Sequence, residues 1–148
     1  MAVRMTWPKV IGVAILYMVV SQIILTLGAI MDMNYYMDPN YFPVWSKFMM
    51  PSAGPPPLEF TVLSLVFNFI TGLLFALVYA VVRPSVPGRN WKNKGLMYGF
   101  LVFLLAGLLT TMMLIIMINL PLGLLLSWLL QMLVVYVIAG VVAARYIK

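Results

Sequence analysis

The chain has no cysteine and no histidine, and only three carboxylates, Asp32, Asp38 and Glu59, in 148 residues. Each absence closes a class of function. Without Cys there is no thiol redox chemistry, and without Cys or His there is no zinc site of the usual kind, no histidine-ligated haem and no His-based catalytic triad. The residues that carry general acid and base chemistry are nearly missing, so we expect no enzymatic activity and no bound cofactor. Charge of either sign is also scarce, at 8% of residues. Nucleic-acid binding needs a basic patch on a water-facing fold, and no segment here is long and polar enough to supply one.

What is present is apolar. Hydrophobic residues make up 65% of the chain and the mean hydropathy is +1.10, which marks an integral membrane protein. Residues 10–31 form an uncharged run that spans roughly 33 Å as a helix, about one hydrocarbon core. It is too long for the apolar core of a signal peptide and reads as a retained span. Further spans are expected at 58–82, 95–118 and 122–146, with Glu59 in the first turn of the second, where a carboxylate complements the helix dipole. The expected fold class is therefore all-α, a polytopic membrane protein with four transmembrane helices arranged as two helical hairpins in a single domain, 1–148.

The two longer connections lie at 32–57, within the first hairpin, and at 83–94, between the hairpins. The loop 32–57 carries six aromatics, Tyr35, Tyr36, Tyr41, Phe42, Trp45 and Phe48, so we expect it to lie on the membrane surface or on the bundle. A short interfacial helix after Pro43 places Val44, Trp45 and Phe48 on one apolar face with Lys47 toward water, and Pro55, Pro56 and Pro57 form a stiff spacer. The turn 83–94 holds Pro84, Pro87 and Gly88 among Arg83, Arg89, Lys92 and Lys94. Placing both termini and this turn in the cytoplasm puts eight of nine basic residues inside and all three acids outside. The positive-inside rule thus predicts a multi-pass cell-membrane protein with both termini cytoplasmic, and a basic turn suited to anionic lipid headgroups at Arg83, Arg89, Lys92 and Lys94.

Small and polar residues recur at a spacing of four. Ser64, Asn68, Gly72, Ala76 and Ala80 lie on one ridge of the second span, and a shift of 63 residues lays Ser127, Gln131, Ala139 and Ala143 of the fourth span over them. The third span has its own series, Gly95, Gly99, Gly107 and Thr111, interrupted by Phe103. Such ridges let helix backbones approach closely, and Gly72, Ala76, Ala80, Gly95, Gly99, Gly107, Ala139 and Ala143 are the expected packing seam. The echo between hairpins is consistent with duplication about an axis along the membrane normal, and equally with convergence on small residues at helix seams.

The stretch from Val78, Tyr79 and Ala80 through Arg83-Pro84 and Pro87-Gly88 to Gly95-Leu96 and Gly99 resembles a group of uncharacterised small four-helix membrane proteins of bacteria and archaea. The resemblance implies the four-helix fold and brings no activity with it. The fluoride-channel family shares the size and a membrane asparagine, but its Gly-Ala-x-x-Arg start and Thr-Phe-Ser-Thr break are missing here.

Two sets of side chains remain as candidates for function. Gln22, Asn68 and Gln131 all fall roughly 13 to 18 Å from their helix ends, and with Ser64 and Ser127 they form a polar layer near the midplane. Such a layer fixes helix register through hydrogen bonds of about 0.6 kcal/mol each, or floors a pathway for a neutral solute or ion. Met31, Met33, Met37, Met113 and Met117 offer soft sulfur of the kind Cu(I) selects. The leading expectation is a non-catalytic membrane protein that forms a homo-oligomer or serves as an accessory subunit of a membrane complex. A small channel or carrier using the amide layer comes second, and methionine-based copper handling third.

Overall fold

The computed structural model describes residues 6–48 and 58–147. Four helices in it are long and apolar enough to cross a membrane. The first is α1 (Trp7–Met31), followed on the connecting segment by two short helices, α2 (Met33–Tyr36) and α3 (Phe42–Phe48). The second crossing is α4 (Leu58–Val82). The third runs through α5 (Trp91–Val102), a π-turn (Phe103–Leu108) and α6 (Leu109–Met117), and the fourth is α7 (Leu122–Tyr146). No strand occurs among the described residues.

Local chemistry sets the helix ends. Pro8 lies in the first turn of α1, where its missing N–H removes no hydrogen bond. Helix α5 starts at Trp91, four residues ahead of the expected span, because the Asn90 side chain accepts the Asn93 N–H at 2.9 Å and caps it. The polar Lys92-Asn93-Lys94 segment is thereby helical. The expected helix after Pro43 is present as α3, with Trp45 fully buried. The side chains of Lys47 and Phe48, with Met49, Met50 and the prolines at 55–57, lie outside the described residues.

Helix α1 packs on both α4 and α7, and α5 packs on α7. The order around the bundle is thus α4, α1, α7 and the third crossing. The seams are consumed inside this one chain. At Gly72 a Cβ would stand 2.8 Å from the Ala14 carbonyl oxygen and 2.9 Å from Tyr17 Cβ, so the glycine is what lets α4 close on α1. Gly95 and Gly99 lie against the backbone of Tyr136, Gly140 and Val141 on α7. Ala76, Ala80, Ala139 and Ala143 are all buried in the resulting core, together with Val10, Val13 and Tyr17.

The π-turn follows from the same spacing. A series spaced by four drifts about 40° per step around a helix of 3.6 residues per turn, so a long series winds off its partner. Yet Gly95, Gly99, Phe103, Gly107 and Thr111 are all buried. The wider i→i+5 turn at Phe103–Leu108 takes up an extra residue and returns Gly107 and Thr111 to the face that Gly95 and Gly99 occupy. Thr111 then donates its hydroxyl to the Gly107 carbonyl at 2.9 Å.

One side of the bundle closes differently. Between α4 and the third crossing the link is aromatic: the Tyr98 hydroxyl donates to the Phe75 carbonyl at 2.7 Å, and the Tyr98 ring stands edge-on to Phe75 at 4.7 Å and to Tyr79 at 5.0 Å. All of these lie in the half of the bundle nearer the basic turn. In the half nearer Asp32, no hydrogen bond or ring contact joins α4 to α6 among the described residues.

The glycine approach is testable by comparison within the chain. Gly99→Ala drives a methyl group into the Tyr136 carbonyl, and overpacking of this kind costs about 1–3 kcal/mol. Gly12→Ala meets open space and gains up to about 1 kcal/mol from helix propensity. Reversible unfolding in mixed micelles is expected to separate the two variants in opposite directions.

Candidate functional site

The acidic end of the bundle is built around Asp32. This residue ends α1, and the chain there turns directly into α2 instead of leaving into water: the Asp32 N–H bonds the Gly28 carbonyl at 2.8 Å and the Tyr35 N–H bonds the Asp32 carbonyl at 2.9 Å. The fold-back leaves Asp32 only 6% exposed. From the residues alone no carboxylate is expected inside the protein, and the structure corrects this. The expectation put all three acids on the outer side, whereas Asp32 turns inward at the end of α1.

The carboxylate is held by α7. Asp32 Oδ2 accepts the Ser127 hydroxyl at 2.7 Å and the Gln131 side-chain N–H at 3.1 Å, and Gln131 Nε2 also lies 3.1 Å from Ser127 Oγ. Gln131 reaches across because Gly28 of α1 has no side chain; a Cβ there would overlap the Gln131 amide. Hydrogen bonds to an ionised acceptor are stronger than neutral ones. Every basic residue except Lys47 sits before Val10 or after Val82, at the far end of the helices, and among the described side chains the partners of this carboxylate are polar donors.

Aromatic side chains cover the cluster. Trp128 donates its indole N–H to the Tyr36 hydroxyl at 2.8 Å. The buried Trp45 ring packs between the two, 5.1 Å from Tyr36 and 6.1 Å edge-on to Trp128. Burial pushes the Tyr36 phenol above its ordinary range, so it stays a neutral acceptor for the indole. The pieces α2 and α3 thus form a strap across the acidic end of α7. Trp45 was expected on the apolar face of the short helix, but neither Trp128 nor Tyr36 stands out by spacing. The available signal was the Ser127, Trp128, Gln131 group on one side of α7 opposite a stray acid at the end of α1.

The expected amide layer resolves into three separate pairs. Gln131 belongs to the Asp32 cluster. Half-buried Gln22 donates to Thr26 at 3.3 Å on α1, its own side-chain oxygen buried without a partner, and Asn68 donates to Ser64 at 3.4 Å on α4. Each amide therefore bonds one turn along its own helix, and only the α7 pair gains a partner from another element. The candidate copper ligands do not converge on this cluster's interior: Met31, Met33, Met37, Met113 and Met117 are all exposed. Among the described residues no group of three or more His, Cys, Asp or Glu is placed to hold a metal ion.

The two four-spaced polar pairs occupy corresponding positions. Ser127 and Gln131 lie on α7, which faces α1, and Ser64 and Asn68 lie on α4 at the same offset of 63 residues. The α1–α7 contact corresponds, hairpin for hairpin, to a contact between the third crossing and α4. The first is made and bridged by Asp32; the second has no hydrogen bond or ring contact at this end among the described residues.

Removing the acceptor leaves the half-buried Ser127 hydroxyl without the partner it donates to, and leaves Gln131 with Ser127 alone. Asp32→Leu is expected to cost about 1–3 kcal/mol, and the double variant with Gln131→Leu to cost less than the sum of the singles. Unfolding free energies for the four members of that cycle check it; strict additivity contradicts the bridge. Comparison of the chain with family models, with curated proteins and with solved structures finds no match to any of them.

Proposed function

We propose that this protein is a non-catalytic membrane subunit that associates side by side with another membrane-embedded helix, through the opening between α4 and α6 at the acidic end. The associating helix belongs to a second copy of the chain or to another subunit of a membrane complex. The observation that carries this reading is the Ser64–Asn68 pair. It matches the pair on α7 that Asp32 satisfies, yet it has no acceptor from a neighbouring element among the described residues. A polar pair facing another helix in hydrocarbon is a natural point for interhelical hydrogen bonding.

Other features support the same reading. The small-residue seams are occupied within the chain, so association falls to the outer part of the third crossing, where Leu105 is 72% and Ile116 87% exposed. Flexible Met112, Met113 and Met117 line that segment and adapt to a partner's shape. Charge segregation supports an arrangement with both termini and the basic turn in the cytoplasm and the strap outside. The residues shared with the small four-helix membrane proteins named above carry no activity, so the proposal rests on geometry. The channel reading draws less support, because the three amides bond along their own helices instead of lining one space.

The cysteine-free chain makes the test direct. A single cysteine at Phe67, exposed on α4 beside Asn68, is expected to cross-link in native membranes either to a second copy or to a heavier partner. A cysteine at Val19, exposed on α1, is expected to remain uncross-linked. Adding Asn68→Leu is expected to reduce the Phe67→Cys product several-fold. Equal cross-linking at both positions, or none at either, overturns the proposal.

A further inference from the structure

At the end opposite the strap, the basic turn borders an open cavity of about 360 Å³. Its lining includes Arg83, Arg89 and Lys94, with Tyr79 and Trp91 as aromatic walls and Asn90 at the amino end of α5. Three features of the turn keep the cations there. The Pro87-Gly88 bend brings Gly88 to φ +152°, a region that favours glycine, and a Cβ there would stand 2.6 Å from the Lys94 backbone nitrogen. The Lys94 ammonium donates to the Arg83 carbonyl at 3.3 Å, tying the end of α4 to the start of α5. Arg145 lies over the Trp91 ring at 5.1 Å and holds that wall against α7.

The charge of this cavity is uncompensated by the chain's acidic side chains. The chain has three Asp and Glu residues, and all precede Phe60, at or near the other end of the helices. Like charges gathered in one cavity repel each other unless an anion sits among them. The first turn of α5 adds the positive end of a helix dipole, which favours an anion, although its Asn93 N–H is already taken by the Asn90 side chain. Arginine presents a fork that matches phosphate oxygens two at a time, and two arginines line the space. Its volume lies at the small end of the range for ligand sites.

We infer that this cavity binds a phosphate ester group, held by Arg83, Arg89 and Lys94 at the amino end of α5. Two sources share that chemistry, the headgroup of an anionic phospholipid and a soluble phosphate. The cavity's position at the ends of α4 and α5, beside Trp91, puts it within reach of either. This site is independent of the association proposed at the acidic end.

The test uses the full-length protein in neutral detergent micelles. One arm titrates micelles doped with dioleoyl phosphatidate, a second titrates inorganic phosphate, and a third uses dioleoyl phosphatidylcholine; retention in native mass spectrometry and the shift in Tm are read in each. Arg89→Gln is expected to weaken phosphatidate retention at least tenfold, and Arg83→Gln likewise. Lys9→Gln removes the same charge at the same end but outside the cavity, and is expected to change retention less than twofold. An unaltered Tm without ligand shows that Arg89→Gln, on an exposed turn residue, is folded. Binding of phosphatidate alone identifies a headgroup site, and binding of inorganic phosphate with the same dependence on Arg89 identifies a soluble-phosphate site; both support the inference. Absence of binding in the phosphatidate and phosphate arms, equal retention of phosphatidylcholine, or equal loss in Arg89→Gln and Lys9→Gln overturns it.

Discussion

Hydrocarbon offers a side chain no hydrogen bonds, so a polar group placed in a span is stabilised where protein supplies its partner. That constraint organises this molecule. On α7 it is met by drawing Asp32 out of the connecting segment and burying it against Ser127 and Gln131, with Tyr36, Trp45 and Trp128 closing over the top. On α4 the same two-residue device bonds only along its own helix. Among the described residues the pair on α7 is thus bridged to another element, and the pair on α4 is not.

Close packing follows from the same solvent. Lipid tails are as apolar as leucine, so helices gain little from mere hydrophobicity and instead bring backbones together at small residues. The Gly72 approach to α1 and the Gly95 and Gly99 approach to α7 each make a tight hairpin. Between the hairpins the join is uneven. Aromatic side chains at Phe75, Tyr79 and Tyr98 fill the basic half between α4 and α5, and their bulk holds the backbones further apart than glycine does. A bundle braced this way at one end leaves the other end available.

The four crossings were legible because length and hydropathy alone determine them, and the seam residues because four-spaced glycine and alanine mark a face. Which helix each seam meets was not legible, since a ridge names a face and not its partner. The interruption at Phe103 looked like a flaw in the third series, although a five-membered series with a strict spacing of four already implied a wider turn to keep it on one side. Asp32 was hidden for a different reason. Its burial depends on α2 and α3 folding back under the pull of scattered aromatics, and no periodic pattern reports such a strap. The amide layer was a matter of distance along each helix, which says nothing about direction: the Gln131 amide reaches Gly28 and Asp32 at the end of α1, whereas Gln22 and Asn68 bond along their own helices.

If the open corner at Ser64 and Asn68 is the working surface of this protein, its occupant travels with it out of the membrane. Native mass spectrometry of the protein extracted from its own membrane in mild detergent tests this most directly. The account predicts a stoichiometric assembly, with a second copy or with another membrane protein, that Asn68→Leu disperses. A strictly monomeric protein with no other polypeptide bound would contradict it.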